Sequence, residues 1–106
     1  MNNDDDDKRP STFRDFYPFY LSEHANRTNR RLHFVGTSTS LAFIISAAVT
    51  MKPLLLLAAV VTGYAFAWVG HFLFEKNRPA TFTYPFYSLA GDWVMWKDIL
   101  TRRIPF

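Results

Sequence analysis

The chain has 106 residues, a net charge of +3 and no cysteine. That length allows one domain, the charge is too small to argue for nucleic acid, and the missing thiols exclude disulfides and cysteine-based zinc sites. A near-neutral mean hydropathy of -0.06 conceals a segregation, because between residues 32 and 74 the only acidic or basic side chain is Lys52.

Residues 1–10, "MNNDDDDKRP", form a block of like charge that reads as a disordered acidic tail. Its "DDDDK" also matches a protease site common in expression tags, so the fold argument starts at residue 11 and treats 11–106 as a single membrane domain. From Phe13, the residues Phe16, Tyr17, Tyr20 and His24 recur at helical spacing, and Pro18 limits this segment to a short or kinked helix. A break is expected at "NRTN", before the apolar stretch.

Two apolar runs follow, 33–51 and 54–74, separated at "MKP". Each has about the ~20 residues that a helix needs to cross a bilayer. Both are too long and begin too late to be a removable signal sequence. After "NRPATFTYP", a loop by its two prolines, "FYSLAGDWVMWKDILTRR" reads as a helix with Trp93, Trp96, Ile99 and Leu100 on one apolar face, suited to a membrane interface. The tetrapeptide YPFY occurs at 17–20 and again at 84–87, which suggests similar packing of the two flanks near the headgroups.

The pattern predicts an all-α membrane protein: a two-helix transmembrane hairpin with short interfacial helices on each flank. Six Lys/Arg precede His33 and five follow Glu75, so both termini are expected on the cytoplasmic side, at the inner membrane if the source is bacterial.

The three histidines stand out against this background. His33 lies 19 residues before Lys52 and His71 lies 18 after Pro53, so at about 1.5 Å per residue both sit at one membrane level. Small residues mark matching faces, with Gly36 and Ser40 beside His33 and the ladder Ala59, Gly63, Ala67, His71, Glu75 on the second helix. His24 could fold back to the same place. Ionisable groups at membrane depth are costly and usually functional. Histidines with a carboxylate and open positions suit non-haem Fe(II). Spacing alone equally permits zinc, or haem held between His33 and His71.

The motifs H-x-N-x-x-N-R-x-L-H-x-x-G at 24–36 and G-H-x-x-x-E-x-N-x-P-A at 70–80 are both intact. Through them residues 13–104 resemble the 2-hydroxy-fatty-acid dioxygenase family of fatty-acid α-oxidation, small membrane proteins formerly of unknown function. The resemblance implies an Fe(II)-dependent enzyme that shortens a 2-hydroxy fatty acid by one carbon with O₂, and it makes His24, His33 and His71 the metal ligands. Glu75 joins them as a catalytic candidate, either a ligand or the acceptor that orients His71; the second role is favoured, and the competing reading is a salt bridge to Arg31 or Arg78. Arg30 and Arg31 are candidates for the substrate carboxylate, and Asn29, Asn77 and Asp92 for residues that orient the ligands. Expected partners are membrane lipid, the hydroxy acid and O₂, with an oligomer left open. The alternative is a non-catalytic small membrane protein that binds haem or lipid.

Overall fold

A computed structural model describes residues 10–106, so the acidic tail read at the N-terminus lies outside the described residues apart from Pro10. Every regular element among the described residues is helical. Helix α1 (Phe13–Ser22) starts at Thr12, whose hydroxyl accepts the Asp15 N–H at 3.2 Å, and it accommodates Pro18 inside its ten residues. Helix α2 (Arg27–Thr50) starts six residues earlier than the apolar run suggests. Asn26 is its cap, accepting the Asn29 N–H at 3.1 Å. The "NRTN" segment is therefore the first turn of a helix and not a break, as an asparagine before a helical run favours.

Met51 ends α2 in the left-handed region at φ 57°, and Pro53 then opens α3 (Leu54–Val69). That helix continues into a wider π-helical turn, Gly70–Glu75. A single 3₁₀ turn, Ala80–Phe82, leads to α4 (Pro85–Leu100), with proline in its first turn, where a missing N–H costs nothing.

Helices α2 and α3 pack as an antiparallel pair along their small residues. The Ser40 hydroxyl donates to the Ala59 carbonyl at 2.7 Å. A Cβ on Gly36 would lie 2.6 Å from the Phe66 Cβ, and one on Gly63 would lie 2.8 Å from the Ser40 Oγ. Both approaches need glycine.

Helices α1 and α4 carry the aromatic core, where Phe16, Tyr20, Met95 and Ile99 are buried. The two YPFY segments meet each other there. Tyr84 lies 5.3 Å from Phe16 and 6.1 Å from Phe19 between ring centroids, and Tyr87 lies 5.4 Å from Phe16. The buried stripe of α4 runs through Ser88, Gly91, Met95 and Asp98 with Ile99. Of the face read as interfacial, Ile99 turns inward, while Trp93 and Trp96 stay half-buried and Leu100 is 58% exposed.

Two helices are long and apolar enough to cross a membrane, Arg27–Thr50 and Leu54–Glu75. Only 28% and 17% of their apolar windows are buried inside the molecule. A core helix of a water-soluble domain of this size would hide most of that surface.

Candidate metal centre

Each histidine reaches the same point from a different element. His24 stands in the short connection after α1, His33 in the second turn of α2, and His71 in the π turn that ends α3. All three are buried, with exposures of 1%, 4% and 2%. Their ring centroids lie 4.4 Å (His24–His33), 4.5 Å (His24–His71) and 4.8 Å (His33–His71) apart, with the rings turned edge to face. One ligand nitrogen from each lies within 4.8 Å of the others.

The outward nitrogen of each ring has a carbonyl partner. His24 Nδ1 faces the Tyr20 carbonyl at 2.6 Å, His33 Nδ1 the Asn29 carbonyl at 3.0 Å, and His71 Nδ1 the Asn77 side-chain oxygen at 2.7 Å. A carbonyl can only accept, so each Nδ1 must carry the proton and each Nε2 is left as a lone pair. His24 Nε2 and His33 Nε2 then face each other at 3.1 Å with no proton between them. Two lone pairs at that distance repel, and a cation bound between them removes the conflict. The donor set therefore fits a metal ion, and a carbonyl on the second ring nitrogen is the usual support of a ligating histidine. Burial, and next the neighbouring His33 ring, push the His24 imidazole well below its ordinary pKa, which keeps it in the neutral form a metal needs.

The turn at the end of α3 explains how His71 is held. Lys76 is left-handed at φ 60°, which turns the chain back so that the Asn77 N–H donates to the His71 carbonyl at 3.0 Å. The Asn77 side-chain nitrogen donates to the Glu23 carbonyl at 3.0 Å, and this fixes its oxygen toward the His71 ring. Gly70 is needed one residue earlier, because any side chain there would run into Asn29.

Other candidate residues fall into different places. Counting at 3.6 residues per turn puts Glu75 over His71, but the wider π turn swings it away. Its carboxylate instead accepts the Asn26 backbone N–H at 2.8 Å and the Asn29 side-chain N–H at 3.0 Å. It thereby ties the end of α3 to the start of α2, a favourable place for a negative charge. The oriented acceptor for His71 is Asn77 and not Glu75. Asn29 supports His33 through its backbone carbonyl, while its side chain serves Glu75.

The Arg30 guanidinium donates to the carbonyls of His24 at 3.3 Å and Ala25 at 2.8 Å. Arg31 donates to the Phe106 carbonyl at 3.2 Å and lies over its ring. Both arginines thus help to hold the chain, and the buried Arg30 Nε has no partner among the described residues. Asp92 is one step further from the cluster. Its carboxylate accepts the Tyr20 hydroxyl, and the Tyr20 ring stacks on His24 at 4.0 Å. Burial pushes the Asp92 carboxyl up to about 7, against the opposing pull of the Tyr20 bond.

Tyr20 is the residue that sequence reasoning passed over. It shared the helical face of His24, and the four-residue spacing between them was the available signal for both its stacking and its carbonyl contact. A cavity of about 250 Å³ also opens beside the cluster, bordered by His33, Thr37 and Asp92 at one end and by Ile44, Val60 and Leu89 elsewhere.

A family model described as "2-hydroxy-palmitic acid dioxygenase Mpo1-like" matches residues 10–104. No curated protein and no solved structure matches the chain.

Proposed function

The chain belongs to the Mpo1-like family, and from that premise we propose that it is a membrane-embedded, Fe(II)-dependent dioxygenase that shortens 2-hydroxy fatty acids by one carbon with O₂. The observation that carries this reading is the convergence of three buried imidazoles, His24, His33 and His71, with one ring nitrogen of each within 4.8 Å of the others and each Nδ1 facing a carbonyl oxygen. His24, His33 and His71 would hold the iron, and three protein ligands would leave room for a bidentate hydroxy acid and for O₂. When bound, the iron supplies the redox chemistry with O₂ and a Lewis-acidic template for the carboxylate and α-hydroxyl.

The residues of the chain do the rest by position and proton control. Tyr20, Asn29 and Asn77 hold the three imidazoles in the tautomer that ligates. Glu75 and Asn77 clamp the segments that bear them. The buried setting keeps bulk water from the reacting carbons.

A membrane location supports the same chemistry. Val49 and Leu54 are 77% and 74% exposed on the helix pair, surface that a bilayer would cover. With α2 and the α3 segment crossing as a hairpin and both termini cytoplasmic, the cluster stands at the headgroup level, where an amphipathic hydroxy acid presents its polar end. Reporter fusions at residue 52 test the orientation; a cytoplasmic signal there would reverse it.

Haem between His33 and His71 fits this site poorly. Axial histidines approach a macrocycle from opposite faces, whereas these two rings converge 4.8 Å apart with His24 filling the third side. The functional test is anaerobic iron loading of the protein in lipid nanodiscs, followed by 2-hydroxypalmitate and air. A product one carbon shorter, formed by the native chain and absent in His33→Ala, is expected. Stoichiometric iron without any turnover would overturn the proposal.

A further inference from the structure

The cavity next to the cluster has a direction. His33 and Thr37 border one end, and the α2 lining continues through Ser40 to Ile44, eleven residues on. At about 1.5 Å per residue that is roughly 16 Å, or about half of a ~30 Å hydrocarbon core. Polar groups gather at the His33 end, where Asp92 and Thr37 contribute, and the lining turns apolar toward Ile44 and Val60. The Ser40 hydroxyl along the way is spent on the Ala59 carbonyl and offers nothing further to a ligand. At the far end Ile44 is 37% exposed and Val60 54%, so the groove opens sideways where lipid would lie.

We infer that this groove between α2, α3 and α4 binds the carboxyl-proximal half of the substrate's acyl chain, and that Ile44 and Val60 set the response to chain length. The inference rests on the dioxygenase reading for the identity of the ligand, and on the groove alone for its place. The volume of about 250 Å³ equals about eight water-sized units at ~30 Å³ each, so about eight carbons fit and the remainder of a long chain extends into the bilayer. The gradient from polar to apolar matches a molecule with one polar end. A chain seated this way places its first carbons beside His33, and entry from the side needs no passage through water.

The fit makes a discrimination that a bilayer-lying tail would not. A six-carbon hydroxy acid stops short of Ile44 and Val60, whereas a sixteen-carbon one passes both. The experiment uses a 2-hydroxypalmitate analogue with a mid-chain diazirine, crosslinked to the native protein in nanodiscs and mapped by mass spectrometry. Labelling of Ile44, Val60 or Tyr64 that unlabelled 2-hydroxypalmitate competes away is expected, with about tenfold less of it in Val60→Trp and Ile44→Trp. Competition by 2-hydroxyhexanoate should be unchanged in these variants, which shows that the cluster end is intact. Labelling confined to outward residues such as Val49 and Leu57, or uncompeted, would overturn the inference, because the tail would then lie in lipid. Competed groove labelling in protein that turns over no substrate would leave the groove standing and remove the dioxygenase reading instead.

Discussion

The two ends of the α2–α3 pair are built from different materials. At the histidine end, polar contacts cross-link segments distant in sequence, Glu75 to Asn26 and Asn29 and Asn77 to Glu23, and local ones fix the turns, Asn77 to His71 and Arg30 to His24 and Ala25. At the turn end, Val49, Met51 and Leu54 are exposed at 77%, 82% and 74%. The partners of that turn are its own backbone, as in the Lys52 N–H to the Ala47 carbonyl at 3.2 Å. One end fixes atoms to within hydrogen-bond tolerance. The other needs only length and apolarity. Substitutions should therefore have effects that fall steeply from one end to the other.

The largest effect belongs to the proposed ligands. His33→Ala should abolish stoichiometric metal binding and turnover together, measured by metal analysis of purified protein. Retention of one ion per chain in that variant would break the assignment of the histidine end as the metal centre. Asn77→Ala removes the acceptor for His71 and the bond to Glu23, so metal affinity should fall about 10–100-fold in a competition titration.

A smaller effect is expected at Glu75. Glu75→Gln keeps the shape but gives up the charge on two hydrogen bonds, which should cost about 1 kcal/mol in thermal unfolding with metal content unchanged. Loss of iron in this variant would make Glu75 a ligand and contradict the contacts to Asn26 and Asn29. Asp92 sharpens the comparison from outside the helix pair. Its carboxyl is raised from 3.8 to about 7 in the folded chain, so the protonated form favours folding. The stabilisation is complete below about pH 4 and is lost as pH rises through 7, by at most ~1.4 kcal/mol per unit. Asp92→Asn should flatten that part of the melting-temperature profile; an unchanged slope would place the titration elsewhere. At the turn end Leu57→Ala, on an outward face, should change stability by no more than about 0.5 kcal/mol and leave the metal untouched.

Much of the site was legible because helix geometry is regular. Equal distances of His33 and His71 from the turn, and the small residues below each, were enough to bring the two helices together at one level. What could not be read was departure from that regularity. The π turn over Gly70–Glu75 shifts Glu75 off the His71 face, and no propensity in "GHFLFE" announces an extra residue per turn. The left-handed Lys76 that returns Asn77 to His71 is likewise a tertiary outcome. On α4 the tryptophan face reads as interfacial, and the inward stripe was less legible because it depends on the close approach of Tyr20 to Gly91, which favours the side with glycine and serine. Arginine roles were illegible because a guanidinium serves a backbone carbonyl as readily as a carboxylate.

The most direct measurement on the central claim is X-ray absorption of the iron-loaded protein in nanodiscs. The account predicts one ion per chain with three imidazole nitrogens at roughly 2.0–2.2 Å, distances usual for metal–histidine bonds, and a reduced imidazole count in each of His24→Ala, His33→Ala and His71→Ala. A full count of three in any of these variants, or an ion surrounded only by oxygen in the native chain, would contradict it.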